Sequence, residues 1–202
     1  MNIYTFTPSG YFGSNTYLIE CDGEIAVVDP SVSRDTVIEK APYLKGEVKY
    51  VLLTHGHFDH FLEIKSWLTD ESMVFIGSQD KNMLRDSHLN CFLGFLGVDD
   101  GFYGEVNEVN SKTLLKLGNC VFSVIECPGH TPGGVSFVIK NNIFVGDTVF
   151  EGGGYGRCDL PGGDFEALCN TLKELFELED DYILYPGHGD KTKLKDVKKF
   201  FV

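Results

Sequence analysis

The sequence predicts an α/β protein in which sheets lie buried between helical layers, a four-layer arrangement. Three observations carry that expectation. Short runs of branched and aromatic residues recur along the whole chain, several of them are apolar throughout, and helical patterns fall between them without strict alternation. Strands covered on both faces read as continuous apolar runs, whereas a half-solvated sheet alternates apolar and polar positions.

Taken in order, strands are expected over residues 3–6, 15–20 and 24–28, each rich in Ile, Val, Tyr or Phe. A helix over 33–44 follows, with Ser33 or Asp35 near its cap. Tyr50-Val51-Leu52-Leu53 marks a strand over 49–53, a helix is expected over 60–68, a strand over 73–76 and a helix over 79–85. The next stretch, Cys91 to Val98 with Phe102 and Tyr103, is apolar but broken by glycine, and reads as a hydrophobic rim or as ordinary packing. Strands are then expected over 113–117, 121–126, 135–139 and 142–145. In the helix expected over 164–178, Phe165, Leu168, Leu172, Leu175 and Phe176 recur at i, i+3 and i+4 spacing, which makes one face apolar. A strand over 182–184 and a helix over 193–201 complete the chain.

With 202 residues, 43% hydrophobic and 23% charged, the chain can bury a large core. No Pro- or Ser-rich linker divides it, so residues 1–202 are expected to form a single domain. The net charge of −13 disfavours nucleic acid, whose binders present clustered Lys and Arg. No run of about 18 apolar residues and no basic leader is present, so the expectation is a soluble cytoplasmic protein without a membrane partner. Cys21, Cys91, Cys120, Cys127, Cys158 and Cys169 form no CxxC pair and are expected to be free thiols.

Chemistry concentrates in Thr54-His55-Gly56-His57-Phe58-Asp59-His60, which follows an apolar strand directly. Imidazole nitrogens and carboxylate oxygens are the ligands that hold Zn²⁺ at ~2.0–2.2 Å. The pattern of an apolar strand, a turn and a ligand-type side chain recurs. Val124-Ile125-Glu126-Cys127-Pro128-Gly129-His130 and Ile183-Leu184-Tyr185-Pro186-Gly187-His188 echo one another, and Asn142-Ile143-Phe144-Val145-Gly146-Asp147 repeats the arrangement with a carboxylate. Singly, Asp59 or His60 reads as well as a helix cap, Asp147 as a turn acid, and His130 or His188 as a surface histidine. Jointly they offer five histidines and two aspartates, enough for two ions about 3.5–4 Å apart. Of the six histidines only His88 lies outside the set. Gly152-Gly153-Gly154 is not a phosphate cradle, because no Lys-Ser or Lys-Thr follows at P-loop spacing.

This ordered set closely resembles the metallo-β-lactamase superfamily, specifically the short bacterial branch of glyoxalase II-like hydrolases. The resemblance runs from Gly13-Ser14-Asn15-Thr16-Tyr17 and Ala26-Val27-Val28-Asp29-Pro30 through the 54–60 cluster, Pro128-Gly129-His130-Thr131-Pro132-Gly133-Gly134 and Gly146-Asp147-Thr148 to Pro186-Gly187-His188. It implies the αββα sandwich of that family, with one metal held by His55, His57 and His130, a second by Asp59, His60 and His188, and Asp147 bridging. It also offers Asp29 and Asp159 as partners for the histidines' remaining nitrogens, although turn or salt-bridge roles suit both. Two departures bear on the substrate. The chain ends a short helix after His188, without the basic C-terminal helical segment that grips glutathione in full glyoxalase II, and Cys158 stands in the 154–164 segment where the family has threonine.

The implied activity is metal-dependent hydrolysis of a small-molecule thioester or related acyl substrate by water activated between two ions. Zn is the expected metal, with Fe and Mn chemically admissible, and Asp59 is the expected catalytic residue besides being a ligand. Arg157 reads either as a fork for a substrate carboxylate or as a salt-bridge partner of Asp159; Cys158 beside it reads as a redox-sensitive thiol or an inert one. The rival reaction class is a mononuclear Fe(II) persulfide dioxygenase, which shares a Gly-Arg-x-Asp element like Gly156 to Asp159 and would use His55, His130 and Asp147. Lactonase, β-lactamase and non-catalytic metal binding fit less well.

Overall fold

The computed structural model describes residues 1–10, 12–44 and 46–201. Among the described residues twelve strands form two six-stranded sheets. The first contains β1 (Asn2–Phe6), β2 (Thr16–Cys21), β3 (Glu24–Val28), β4 (Val48–Leu52), β5 (Met73–Gly77) and β6 (Asn107–Val109), side by side in chain order. The second contains β7 (Leu114–Leu117), β8 (Cys120–Glu126), β9 (Val135–Ile139), β10 (Asn142–Gly146), β11 (Ile183–Pro186) and β12 (Thr192–Lys193), likewise in chain order across the sheet. Hairpins make β1–β3 and β7–β10 antiparallel, while β3 to β6 pair parallel, as do β10 and β11.

Three apolar clusters separate four layers. One lies between the sheets and includes Tyr17, Ile19, Phe122, Phe137 and Phe144. A second covers the outer face of the first sheet with Val37 of α1 (Arg34–Lys40), Ile64 and Trp67 of α2 (Ile64–Trp67) and Phe92 of α3 (Phe92–Leu96). The third places Leu168, Leu172 and Leu175 of α4 (Phe165–Phe176) and Leu194 and Val197 of α5 (Leu194–Lys198) against Ile143, Val145 and Leu184. Successive residues of a strand therefore serve different cores: Ile25 and Val27 of β3 face outward while Ala26 and Val28 face the opposite sheet. That double burial is why these strands are apolar throughout, and the αββα sandwich expected from the sequence is the fold observed.

Differences lie where local signals are weak. β6 and β12 escape a hydrophobicity reading because they are three and two residues long and mostly polar. The helix expected over 79–85 is two separate tight turns, Ser78–Asp80 and Met83–Arg85, and the one expected over 60–68 shortens to α2 after a tight turn at Phe58–His60. α3 was not expected at all; Gly94 interrupts its pattern, and Asn90 holds its start by accepting from Phe92 N at 3.0 Å.

The cysteine expectation needs correction. Cys21 and Cys120 are joined in a disulfide, while Cys91, Cys127, Cys158 and Cys169 are free. The pairing spans 99 residues, so no sequence spacing announces it. It forms because two hairpin turns from opposite sheets dock on each other: Gly118 N donates to Glu24 Oε2 at 2.7 Å and Asn119 N to Asp22 Oδ2 at 3.0 Å. Closing so long a loop restricts the unfolded chain most. Thiol titration of protein denatured without reductant is expected to count four thiols rather than six, and Cys120→Ser to lower the unfolding free energy by about 2–4 kcal/mol in urea titration. Six reactive thiols would refute the cross-link.

Candidate metal centre

The ligand-type residues all leave strand ends at one edge of the sandwich. Beyond β4 the chain runs through Thr54 into His55, Gly56 and His57 and then turns tightly at Phe58–His60. β8 leads to His130, β10 to Asp147 and β11 to His188. The exits are tied to one another by backbone bonds. Val135 N donates to Thr54 O at 2.8 Å, joining the two sheets, and Gly187 N donates to Gly146 O and Asn15 N to Gly187 O, both at 2.7–2.9 Å. The loop before His130 is held by α4, since Asp164 N donates to Gly129 O and Thr171 Oγ1 to Pro128 O, each at 2.7 Å.

Among the described residues three groups bring one ligand atom per residue within 4.8 Å of each other: His55, His57 and His130; His55, His60 and Asp147; Asp59, His60 and His188. Asp147 stands between the sets, with Oδ1 at 3.4 Å from His60 Nε2 and Oδ2 at 3.4 Å from His188 Nε2 and 3.7 Å from His130 Nε2. Asp59 Oδ2 lies 3.2 Å from His188 Nε2. All seven sequence-predicted ligand residues are thus brought together, and His88 is exposed and outside them. The combination His55, His130 and Asp147, needed by a mononuclear site, is not one of the three converging groups.

These donors fit metal ions. His55 Nε2, His57 Nε2, His60 Nε2 and Asp147 Oδ1 are buried without a hydrogen-bond partner. Buried polar atoms without a partner cost about 1–3 kcal/mol each, and a cation would relieve those whose lone pairs face the cluster. Space is reserved as well: a Cβ on Gly187 would run into Asp147 Oδ1 and the His60 ring.

At His55, His60 and His130 the opposite ring nitrogen is committed elsewhere, which orients the ring. Asp29 Oδ2 takes His60 Nδ1 at 2.8 Å and the Thr54 hydroxyl at 2.8 Å, and that hydroxyl lies 3.1 Å from His55 Nδ1. His130 Nδ1 faces Arg157 O at 2.7 Å, leaving its Nε2 2.9 Å from His57 Nδ1. Asp29 holds this post at a positive φ of 50°, a left-handed conformation that Asp tolerates better than most residues. Asp159, the other expected partner, binds no histidine: its carboxylate takes Arg157 Nε and Nη2, both at 2.6 Å.

Asp80 is a further element that sequence reasoning missed. It is fully buried, and Oδ2 accepts from Gly56 N at 2.9 Å while Oδ1 accepts from Gly133 N at 2.6 Å. One carboxylate therefore clips the loop carrying His55 and His57 to the loop carrying His130. Burial raises its pKa, and the hydrogen bonds it receives work in the other direction. Nothing in the local sequence signals the role, because Asp80 sits in a polar turn of ordinary appearance.

Protonation is divided across the cluster. Burial pushes His55 well below the usual imidazole range and His57 down to about 3, so both are neutral, as ligands must be. Burial also opposes charge on His60 and His188, but Asp29, Asp59 and Asp147 outweigh it at His60 and raise it well above the usual value, and hydrogen bonds to Asp147 and Asp59 raise His188 to about 9. Burial works against ionised Asp147, yet His60 and His188 hold it well below the carboxylate range.

A cleft of about 350 Å³ opens onto His57, Asp59, His130, Asp147 and His188. Of the expected rim, Cys91 to Val98 with Phe102 and Tyr103, Cys91 and Phe95 line it; Phe92 and Phe102 are buried in the core beneath, and Phe12, Phe58, Phe150 and Leu160 supply the rest of the apolar wall.

The profile of the metallo-beta-lactamase superfamily matches residues 9–188. The chain belongs to that superfamily. It is 32% identical to the hydroxyacylglutathione hydrolase GloC of Haemophilus influenzae, over 98% of this chain and 96% of that protein. The superfamily fold is matched in crystal structures of the BLEG-1 B3 metallo-beta-lactamase, with TM-score 0.86, 26% identity and 98% and 97% of the two chains covered, and of TTHA1623 in a di-iron-bound form, with TM-score 0.83, 26% identity and 97% of each chain covered. As a metallo-hydrolase-superfamily member this chain carries a His/Asp cluster that is a candidate divalent-metal site.

Two outcomes test this geometry. Asp80→Ala leaves two buried N–H groups unpaired, and is expected to weaken metal retention by about 10–100-fold, the range for losing an outer-sphere partner, read by elemental analysis after dialysis against graded chelator. Because His60 and His188 carry protons at neutral pH and must lose them to act as ligands, metal uptake at pH 7 is expected to release protons, and affinity to rise with pH up to about 9. Calorimetry in buffers of different ionisation enthalpy measures this, and a buffer-independent heat would contradict it.

Proposed function

We propose that this chain is a dinuclear metal-dependent hydrolase acting on thioesters or related acyl compounds. The observation that carries the reading is the pair of three-residue ligand groups flanking Asp147, with buried lone pairs on both sides. His55, His57 and His130 would hold one ion, Asp59, His60 and His188 the other, and Asp147 would reach both. Zn²⁺ suits this nitrogen and carboxylate set best, and Fe or Mn are compatible with it. Bound ions of this kind lower the pKa of water toward ~7 and polarise an acyl oxygen.

The chain's own residues supply the remaining requirements. Asp59 is ionised, its pKa lowered by His60 and His188 against the opposing effect of burial, so it accepts a hydrogen bond from the attacking water and aims it. His188, with its side chain 43% exposed, faces the cleft where the substrate enters. Hydrolysis adds the water across the acyl carbon–sulfur bond, giving a carboxylic acid and a thiol without any oxidant. Similarity to a hydroxyacylglutathione hydrolase supports the thioester.

Protein purified without added metal is expected to hold close to two ions and to hydrolyse at least one member of a panel of thioesters including S-lactoylglutathione, lactones and β-lactams. His188→Ala is expected to lose one ion and more activity than the ~10–100-fold typical of outer-sphere changes. Unchanged metal content together with unchanged hydrolysis would overturn the dinuclear assignment, and one iron with oxygen uptake on glutathione persulfide would replace it with the oxygenase.

A further inference from the structure

The cleft over the cluster is walled by aromatic side chains, and among the described residues Arg157 is the one lysine or arginine that lines it. Phe58 forms its inner wall, and Phe12 and Phe95, 47% and 45% exposed, stand at its mouth. These three rings touch, with centroids 6.2 Å apart for Phe12 and Phe58, 6.0 Å for Phe58 and Phe95, and 6.4 Å for Phe12 and Phe95. Phe150 and Leu160 close the remaining sides. Exposed aromatic groups gathered at a concave site mark a surface that gains by being covered. At about 350 Å³ the volume sits near the lower end of ligand clefts, ~300–1,000 Å³.

Arg157 is the one lysine or arginine among the described residues lining the cleft, and both arms of its guanidinium that bind are turned to Asp159. Its backbone is fixed too, because its carbonyl meets His130 Nδ1. Asp159 takes two of the fork's donors and sets a negative charge beside the others, so an anionic substrate meets Arg157 already paired, on a chain whose net charge is −13. The pair is exposed, 55% and 67% at the two side chains, so the competition is modest in size but constant in sign.

We propose that the substrate preferred by this centre is a thioester whose group beside the scissile bond is compact, apolar and uncharged, received by Phe12, Phe58 and Phe95, and that Asp159 disfavours anionic thioesters by occupying Arg157. The bond cleaved rests on the hydrolase reading; the group preferred rests on the cleft alone. Phe95 and Asp159 are specificity residues in this scheme and take no part in bond cleavage.

The test uses the full-length, metal-loaded protein with the benzoyl and hexanoyl thioesters of N-acetylcysteamine, which carry no charge, against S-lactoylglutathione. Binding of benzyl mercaptan and of glutathione is measured in parallel. The wild type is expected to show higher kcat/KM for the uncharged esters and tighter binding of benzyl mercaptan. Phe95→Ala is expected to lower kcat/KM for the benzoyl ester about tenfold, with Phe95→Leu restoring much of it. Asp159→Asn is expected to raise the ratio of anionic to uncharged turnover about three- to fivefold, the size an exposed ion pair supports. Failure of the two readings is separable. No hydrolysis of any ester with benzyl mercaptan still preferred defeats the hydrolase reading and upholds the cleft preference. Better turnover or binding of the glutathione compounds, or ratios that neither variant moves, overturns the preference and leaves the hydrolase intact.

Discussion

Everything at this edge depends on one electrostatic constraint: imidazole and carboxylate lone pairs are forced together at the floor of a cleft, most of them buried. His55, His57 and His60 are 2%, 3% and 0% exposed, and each keeps an Nε2 with no partner. Such a cluster is unfavourable by itself, since unpaired buried polar atoms retain their full desolvation cost. It persists because strands on both sheets fix the loops that carry it, and a bound cation would relieve it. Metal affinity and fold stability are therefore coupled in the same residues.

The supporting carboxylates show how that coupling is built. Asp29 lies between the sheet and the cluster, orienting His60 directly and His55 through Thr54. Asp80 spans two loops and orients no ring; it sets the distance between the two ring-bearing segments. The first acts on direction and the second on spacing, which are the two geometric variables a ligand shell must satisfy. Placing both acids in the interior is costly, but each is met by at least two hydrogen bonds, the condition under which a buried carboxylate remains compatible with a folded core.

The architecture was legible because double burial writes itself into the sequence: Ile25, Ala26, Val27 and Val28 have no polar alternation since each faces one core or another. The ligand set was legible because His130, Asp147 and His188 each follow an apolar strand, so residues far apart in sequence share a structural position. What escaped lies in tertiary contact. Asp80 and Phe12 carry no local signature of their partners, and the cross-link between Cys21 and Cys120 depends on two turns meeting across the sandwich. Arg157 could be read two ways, and it makes two bonds to Asp159 while lining the cleft. The same choice by Asp159 removes it from the histidines, which the sequence resemblance had offered as its partners.

Charge balance links the interior cluster to the neutrality of the cleft. The carboxylates of Asp29, Asp59 and Asp147 contribute three negative charges around the histidines. Two divalent ions would offset them, and whatever positive surplus remains is confined to the floor of a low-dielectric cleft. A surplus there is worth most where negative charge develops during acyl transfer, and least toward a distant substrate carboxylate screened by solvent. A free arginine at the rim would add attraction for any anion, whether or not it were reacting, and uniform binding of that sort does not accelerate the chemical step. Pairing Arg157 with Asp159 leaves the attraction for negative charge concentrated at the reacting centre, and leaves the aromatic wall to decide which acyl compound is held there.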